Sequence, residues 1–292
     1  MKIFVSCLFM LSLMLFLPAC AGIGFPASSS TTTSTTGTNP QPTLSTLHAV
    51  TFSIGKADAT LIYHEDFAVL IDAGEEEDAA EILLYMSRKG IRELDALILT
   101  HYDKDHVGGA DGILRGIPVK AVYGTYPSKE SEEYDQYLAA LSELQITPSV
   151  LREETQLSFG NAIFRIYPPA AESYAEKESN NSSLVLHLTY GQTRFLFAAD
   201  AEEARIAELL AMPREKLACD LMKVPYHGND LANLDQLLAL ATPRYGIITC
   251  SDKNPEEQGK MDTLRQAGVS VFLTRNGNVE FSSNGVSVSV SQ

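Results

Sequence analysis

An apolar run at 94–100 empties into Thr100-His101-Tyr102-Asp103-Lys104-Asp105-His106-Val107-Gly108-Gly109. A buried strand that ends in two imidazoles and two carboxylates restricts the fold, because those four side chains must gather around something at the strand's end. His101, Asp103, Asp105 and His106 are four potential metal ligands within six residues. Imidazole nitrogen and carboxylate oxygen both suit zinc, and carboxylates widen the choice to manganese or iron. So many ionisable groups in one turn are electrostatically unfavourable without a cation, which a divalent ion supplies. The plainer reading is a polar loop, but the whole chain holds six histidines and two of them fall here. Gly108 and Gly109 let the backbone turn tightly beside the cluster.

The chain begins differently. Lys2 gives one positive charge, and 3–17 is an apolar run of the length of a signal-peptide core. Leu17-Pro18-Ala19-Cys20 follows and resembles a bacterial lipobox. We expect residues 1–19 to be a lipoprotein signal peptide, with Cys20 lipidated; an ordinary cleaved signal or an uncleaved anchor are the alternatives. Residues 20–46 are dominated by Ser, Thr, Pro, Gly and Asn. They carry too little apolar surface to offset the entropy of ordering, and read as a tether. The folded domain is expected at 47–292, held by its lipid at the cell membrane and facing outside the cytoplasm. The net charge is −15, from 22 Lys and Arg against 37 Asp and Glu. That balance counts against tight, sequence-independent binding of nucleic acid.

Within the domain, strands are expected at 48–53, 59–63, 67–72, 94–100, 119–123, 163–167, 184–188, 194–199, 221–224 and 245–250. Helices are expected at 78–89, from 110, at 131–144, 201–210 and 256–267. The alternation predicts an α/β fold in which two mixed β-sheets pack together with helices outside, a four-layer αββα sandwich. A terminal hairpin is expected from 270–274 and 278–282. Cys219 and Cys250 sit at opposite ends of their strands, too far apart for a disulfide, and are expected as separate buried thiols. His48, His64 and His187 lie on strands and read as structural.

His-x-Asp-x-Asp-His-x-Gly-Gly after a strand resembles the signature of the metallo-β-lactamase superfamily. Aspartate at its third position is similar to the ComEC-type branch, the hydrolase domains of bacterial competence proteins. Ile54-Gly55-Lys56-Ala57-Asp58, Ile71-Asp72-Ala73-Gly74, Asn180-Asn181-Ser182-Ser183, Ala199-Asp200 and Tyr226-His227-Gly228-Asn229 resemble later motifs of that branch. The resemblance implies metal ligands at His101, Asp103, Asp105, His106, Asp200 and His227, and catalytic roles for Asp105 and Asp200. It implies substrate contacts at Tyr226, Asn181 and Asn229, with Asp58 and Asp72 near the metal loop. No histidine stands near 180–183 to complete one of the family's two sites. One tight ion, at Asp105, His106 and His227, and one weak ion, at His101 and Asp103, are therefore expected, zinc first and manganese second.

The expected activity is metal-dependent hydrolysis of an extracellular phosphodiester, DNA included. The alternative is a lipoprotein that binds metal or ligand without turnover. No obligate protein partner is evident, and neither a Walker-type phosphate loop nor a nucleophile-elbow serine is visible.

Overall fold

A computed structural model describes residues 44–292. The expected signal peptide, the lipid site at Cys20 and nearly all of the tether lie outside the described residues.

The fold follows from strands whose two faces are both apolar. β1 (Leu47–Thr51), β2 (Thr60–His64), β3 (Phe67–Ile71), β4 (Ala96–Leu99), β5 (Val122–Gly124) and β6 (Ser149–Val150) build one sheet. β7 (Thr155–Phe159), β8 (Ala162–Tyr167), β9 (Val185–Tyr190), β10 (Thr193–Phe197), β11 (Leu221–Lys223), β12 (Tyr245–Ile248) and β13 (Ser270–Leu273) build the other. β14 (Val279–Ser283) and β15 (Val288–Ser291) then return to the first. The orders are β15-β14-β1-β2-β3-β4-β5-β6 and β13-β12-β11-β10-β9-β8-β7. Each sheet is mixed: β3 to β6 pair in parallel, as do β10 to β13, and the other pairs are antiparallel.

In β4 the alternation is direct. Ala96 and Ile98 face inward, where with Val69 and Ile71 they meet Phe164, Leu186, Leu188 and Phe195 of the second sheet. Leu97 and Leu99 face outward onto Ile82, Met86, Ile113 and Tyr137, carried by helices Ala79–Arg88, Ala110–Gly116 and Glu132–Glu143. A strand covered on both faces reads as an unbroken apolar run. Outside the second sheet, Leu196, Met222 and Ile248 pack on Ile206, Leu237 and Leu264, from helices Glu203–Leu210, Leu234–Ala241 and Gln258–Gln266. The architecture is the αββα sandwich.

Three sequence expectations need correction. The terminal hairpin is β14 with β15, not 270–274 with 278–282. Ser270–Leu273 instead pairs in parallel with β12, and the chain crosses to the first sheet before Val279. The helix Leu234–Ala241 and strands β6 and β7 were not anticipated. β7 alternates between intermediate and exposed residues and β6 is exposed, so neither shows a clear apolar stripe. The strand expected at 119–123 is reduced to an isolated bridge at Val119 and the short β5. Cys219 and Cys250 are both buried and free.

Candidate metal centre

The site lies where the parallel strands of both sheets end. Asp72 follows β3, Thr100 and His101 follow β4, Asp200 follows β10, His227 follows β11 and Thr249 follows β12. Ligands commonly bind beyond the carboxyl ends of parallel strands. Backbone hydrogen bonds fix the ligand loop on its neighbours: Asp58 N–H donates to Asp105 O (2.9 Å), and Ala73 N–H to His106 O (2.8 Å).

Residues Lys104–Val107 form a single helical turn that brings Asp105 and His106 inward. Gly108 and Gly109 both have right-handed helical backbone, so a turn is not what requires glycine. A side chain at Gly109 would strike the Ala73 carbonyl, and one at Gly108 would lie 2.9 Å from the Glu75 and Glu76 backbone. Glycine is required by close approach. His227 is aimed by strain: Tyr226 (φ 50°) and His227 (φ 54°) are both left-handed without being glycine. Such conformations cost on the order of 1–3 kcal/mol each and collect at functional sites.

Three imidazoles converge. The His101 and His106 rings are 4.0 Å apart between centroids, and those of His106 and His227 5.7 Å. Each ring is anchored through Nδ1. His106 Nδ1 is 2.9 Å from Asp72 Oδ2, His227 Nδ1 is 2.9 Å from Thr249 Oγ1, and His101 Nδ1 is 3.2 Å from Thr100 Oγ1. Asp72 is itself fixed by Thr100 N–H and Oγ1–H at 2.7 and 2.8 Å. Such outer contacts set the tautomer that presents Nε2 to a metal. The three Nε2 atoms are buried and none makes a well-formed hydrogen bond, though His227 Nε2 lies 2.9 Å from Asp200 Oδ2 and His106 Nε2 3.5 Å from Asp200 Oδ1. Ligand atoms of His101, His106 and Asp200 lie within 4.8 Å of one another, and so do those of Asp105, His106 and His227. Buried polar atoms without partners are rare in folded proteins. These are imidazole nitrogens and carboxylate oxygens, the donor set of a zinc or manganese centre, so the residues present fit a divalent ion.

The charges interlock. Burial pushes the His101 imidazole down to about 3, and His106 beside it adds to the effect. Burial also opposes charge on His106 and His227, but the carboxylates around them prevail and hold both above the usual imidazole value. Asp200 and Asp72 do so for His106, Asp200 and Asp105 for His227. Asp200 would be raised by burial, yet His227, His106 and Lys223 keep it well below the carboxylate range. Burial raises the Asp72 carboxyl.

Of the residues singled out from the sequence, His101, Asp105, His106, Asp200 and His227 come together. Asp103 does not join them: its Oδ1 is taken by Lys129 Nζ at 2.6 Å and by Ser179 Oγ–H. It stays 3.9 Å from His101 Nε2 through Oδ2. Asn181 is held within the fold. It is buried, its Oδ1 accepts from Arg205 N–H (3.0 Å), and its Nδ2 donates to the Glu176 carbonyl (3.1 Å). Tyr226 is half-buried, packed on the outer core of the second sheet, with Lys177 Nζ 5.9 Å from its ring. Asn229 is half-buried, its backbone N–H donating to Tyr226 O. His48 and His64 lie away from the cluster, stacked on Tyr63 and Phe67, and His187 bonds the Ala218 carbonyl.

Two lysines were missed. Lys223 is buried, its Nζ pairing with Asp58 Oδ2, donating to Ala199 O at 3.1 Å, and lying 3.5 Å from Asp200 Oδ1. Lys56 Nζ lies 2.6 Å from Asp105 Oδ2 at the site's edge. The one available signal for Lys223 was its place in β11 between apolar neighbours. Beside His101 a cavity of about 590 Å³ opens, lined by Tyr126, Ser128, Lys129 and Arg152 among others.

A metallo-hydrolase fold with a buried His/Asp cluster at its strand ends defines the class. The family model described as the metallo-beta-lactamase superfamily matches residues 54–251, and the chain belongs to that superfamily. Its curated relatives place it on the branch of the ComEC-type competence proteins. It is 27% identical over 205 residues to ComE operon protein 3 of Bacillus subtilis strain 168, covering 68% of this chain and 26% of that protein. It is 28% identical over 210 residues to Recombination protein 2 of Haemophilus influenzae, covering 70% of this chain and 24% of that one. The chain thus spans about a quarter of the length of these relatives. Among solved structures, the metallo-beta-lactamase fold protein YhfI from Bacillus subtilis matches with a TM-score of 0.55 at 14% identity, covering 81% of this chain and all of that one. At that identity the likeness bears on the fold alone.

Proposed function

We propose that the protein is a metal-dependent phosphodiesterase held at the outer face of a cell membrane by a lipid on Cys20. The observation that carries the hydrolytic part is the convergence of three buried imidazole Nε2 atoms with Asp105 and Asp200. The phosphodiester rests on the likeness to competence and recombination proteins, with DNA as one such substrate. The membrane tether rests on the lipobox-like sequence before Cys20.

His106, His227, Asp105 and Asp200 would hold the tighter ion, with His101 on the other side of Asp200. A divalent ion there supplies Lewis acidity toward water and a phosphoryl oxygen. The chain's residues do the rest. Asp72, Thr249 and Thr100 hold the imidazoles with Nε2 inward. Lys223 fixes Asp200. Asp105, kept ionised against its burial by His227 and His106, is the carboxylate placed to accept a proton from the attacking water. Lys56 on Asp105 would add a positive charge at the site's edge for a phosphoryl group.

Metal analysis of the full chain, followed by hydrolysis of bis(p-nitrophenyl) phosphate and of DNA, tests the reading. Metal-dependent cleavage of either supports it; a metal-loaded chain that cleaves neither refutes it. That second outcome is what the alternative, a binding lipoprotein without turnover, requires. The withdrawal of Asp103 to Lys129 and Ser179 favours that alternative, since it leaves the His101 side short of a ligand.

A further inference from the structure

The second sheet has another built feature at the opposite end of its parallel strands. A cavity of about 500 Å³ is lined by Arg194, Arg214 and Arg244. Arg194 is the second residue of β10 and Arg244 precedes β12. Asp220 stands between them in the ladder, its N–H donating to Arg194 O (2.8 Å) and its carbonyl accepting from Arg244 N–H (2.9 Å). Arg214 reaches in from the short 3-10 helix Arg214–Lys216. Its Nε–H donates to Leu240 O at 3.3 Å, and a terminal N–H to Thr242 Oγ1 at 3.0 Å. The Arg244 guanidinium lies over the Tyr245 ring, 5.3 Å from its centroid. From Arg194 to Phe197 the chain is extended strand, so at about 3.3 Å per residue the cavity stands at least about 10 Å from the metal centre.

In so acidic a chain this grouping is unexpected. Arg115, Arg152, Arg205, Arg265 and Arg275 pair with carboxylates, whereas Arg88, Arg92 and Arg165 do not among the described residues but line no part of this cavity. Among the described residues no carboxylate pairs with Arg194, Arg214 or Arg244. Two acids do line the cavity. Asp220 spends its Oδ2 on the Arg194 backbone N–H at 2.9 Å, and Glu215 belongs to the exposed 3-10 turn. The excess positive charge is felt behind the wall. His187 bonds the carbonyl of Ala218, a cavity residue, at 3.0 Å, and burial together with Arg194 and Arg165 lowers its basicity.

We propose that this cavity binds a phosphate-bearing anion through Arg194, Arg214 and Arg244. A guanidinium offers a planar fork of donors that matches two oxygens of one phosphate, and a cavity of this size is of the order used for small ligands. Phosphate oxygens accept hydrogen bonds only, and these three side chains only donate. Arg214, fixed by Leu240 and Thr242, and Arg244, fixed by Tyr245, are already ordered, which lowers the entropic cost of closing on a ligand. The phosphate has two sources of the same chemistry, a soluble phosphate compound or a phospholipid headgroup.

The test uses the full chain and two probes, inorganic phosphate and dihexanoyl phosphatidic acid below its micellar concentration, each titrated by calorimetry. One saturable equivalent is expected for at least one probe, weakened about tenfold or more in Arg194→Gln/Arg244→Gln. The melting temperature of the double variant should stay at the wild-type value, because both side chains are exposed. Loss of the phosphate event assigns the soluble ligand, and loss of the phosphatidic acid event alone assigns the headgroup. Any event at the metal centre survives the substitution. Failure of both probes to bind, or binding equally strong in the double variant, overturns the proposal. Neither result depends on whether the metal centre hydrolyses phosphodiesters.

Discussion

The ammonium of Lys223 lies 3.5 Å from Asp200 Oδ1 inside the protein, with 4% and 5% of the two side chains exposed. The same ammonium pairs with Asp58 and donates to Ala199 O. One lysine therefore joins the turn after β1, the end of β10 and the metal-facing carboxylate. Burial opposes its charge, but Asp58 and Asp200 hold its basicity above the usual lysine value.

Removing that charge takes the lysine from Asp58 and leaves Asp200 with only its two imidazole neighbours. Lys223→Met should destabilise the metal-free protein by about 3–5 kcal/mol, the usual cost of breaking a buried pair from one side. It should also weaken metal binding, because Asp200 loses the contact that orients it. Urea unfolding and metal titration check this; a wild-type urea midpoint would show that the pair contributes nothing.

Ala199 precedes Asp200 with φ 49°, a left-handed backbone without glycine. Ala199→Gly should stabilise the chain by about 1 kcal/mol, because glycine takes that backbone without a Cβ. For a domain of this size that corresponds to roughly 2–4 °C in melting temperature. A lower melting temperature would contradict the strain.

How much of this was legible depended on whether a residue's role matched its usual chemistry. His101, Asp105 and His106 announced themselves because four ionisable groups after an apolar run have no packing explanation. His227 and Asp200 were found because Tyr226-His227-Gly228-Asn229 and Ala199-Asp200 resemble later motifs of the family, Asp200 also ending an apolar strand. Lys223 and Lys56 were not, since lysine normally reads as solvated surface and only the tertiary fold brings Asp58 and Asp105 to them. Asp103 looked like a ligand by spacing, yet Lys129, 26 residues on, withdraws it. Asn181 was given as a substrate contact by the resemblance, and in the fold it ties its loop to the helix that begins at Glu203. The sandwich was readable from alternation within β4 and its neighbours. The last strands were not, because short polar-edged segments do not say which sheet they join.

Because Asp103 is engaged by Lys129 and Ser179, Asp103→Asn should leave the tighter ion nearly unaffected, within about threefold of wild-type affinity. His106→Ala should abolish that ion's binding. Metal titration of both variants checks this, and equal losses in the two would return Asp103 to the ligand set.

His106 and His227 are both held above the ordinary imidazole value of about 6.5. A group whose folded value is raised contributes its full stability below the unfolded value and loses it as pH rises through the folded one. His101 is lowered to about 3; its contribution changes only between there and 6.5, so it is constant above. The metal-free protein should therefore lose melting temperature as pH rises above about 6.5. Metal binding needs the imidazoles deprotonated, so its affinity should rise over the same range. Melting curves at several pH values, with and without metal, check both directions. A metal-free protein that gains stability across that range would contradict them.

The central claim is that His106, His227, Asp105 and Asp200 hold a divalent ion that turns over a phosphodiester. Its most direct test is one titration of metal-stripped full chain with zinc or manganese, following bound metal and bis(p-nitrophenyl) phosphate hydrolysis together, for wild type and His227→Ala. Two separated binding steps are predicted, with hydrolysis appearing as metal binds and both the tighter step and the hydrolysis lost in His227→Ala. A tight step that survives the substitution, or saturation of the wild type without any hydrolysis, would contradict the account.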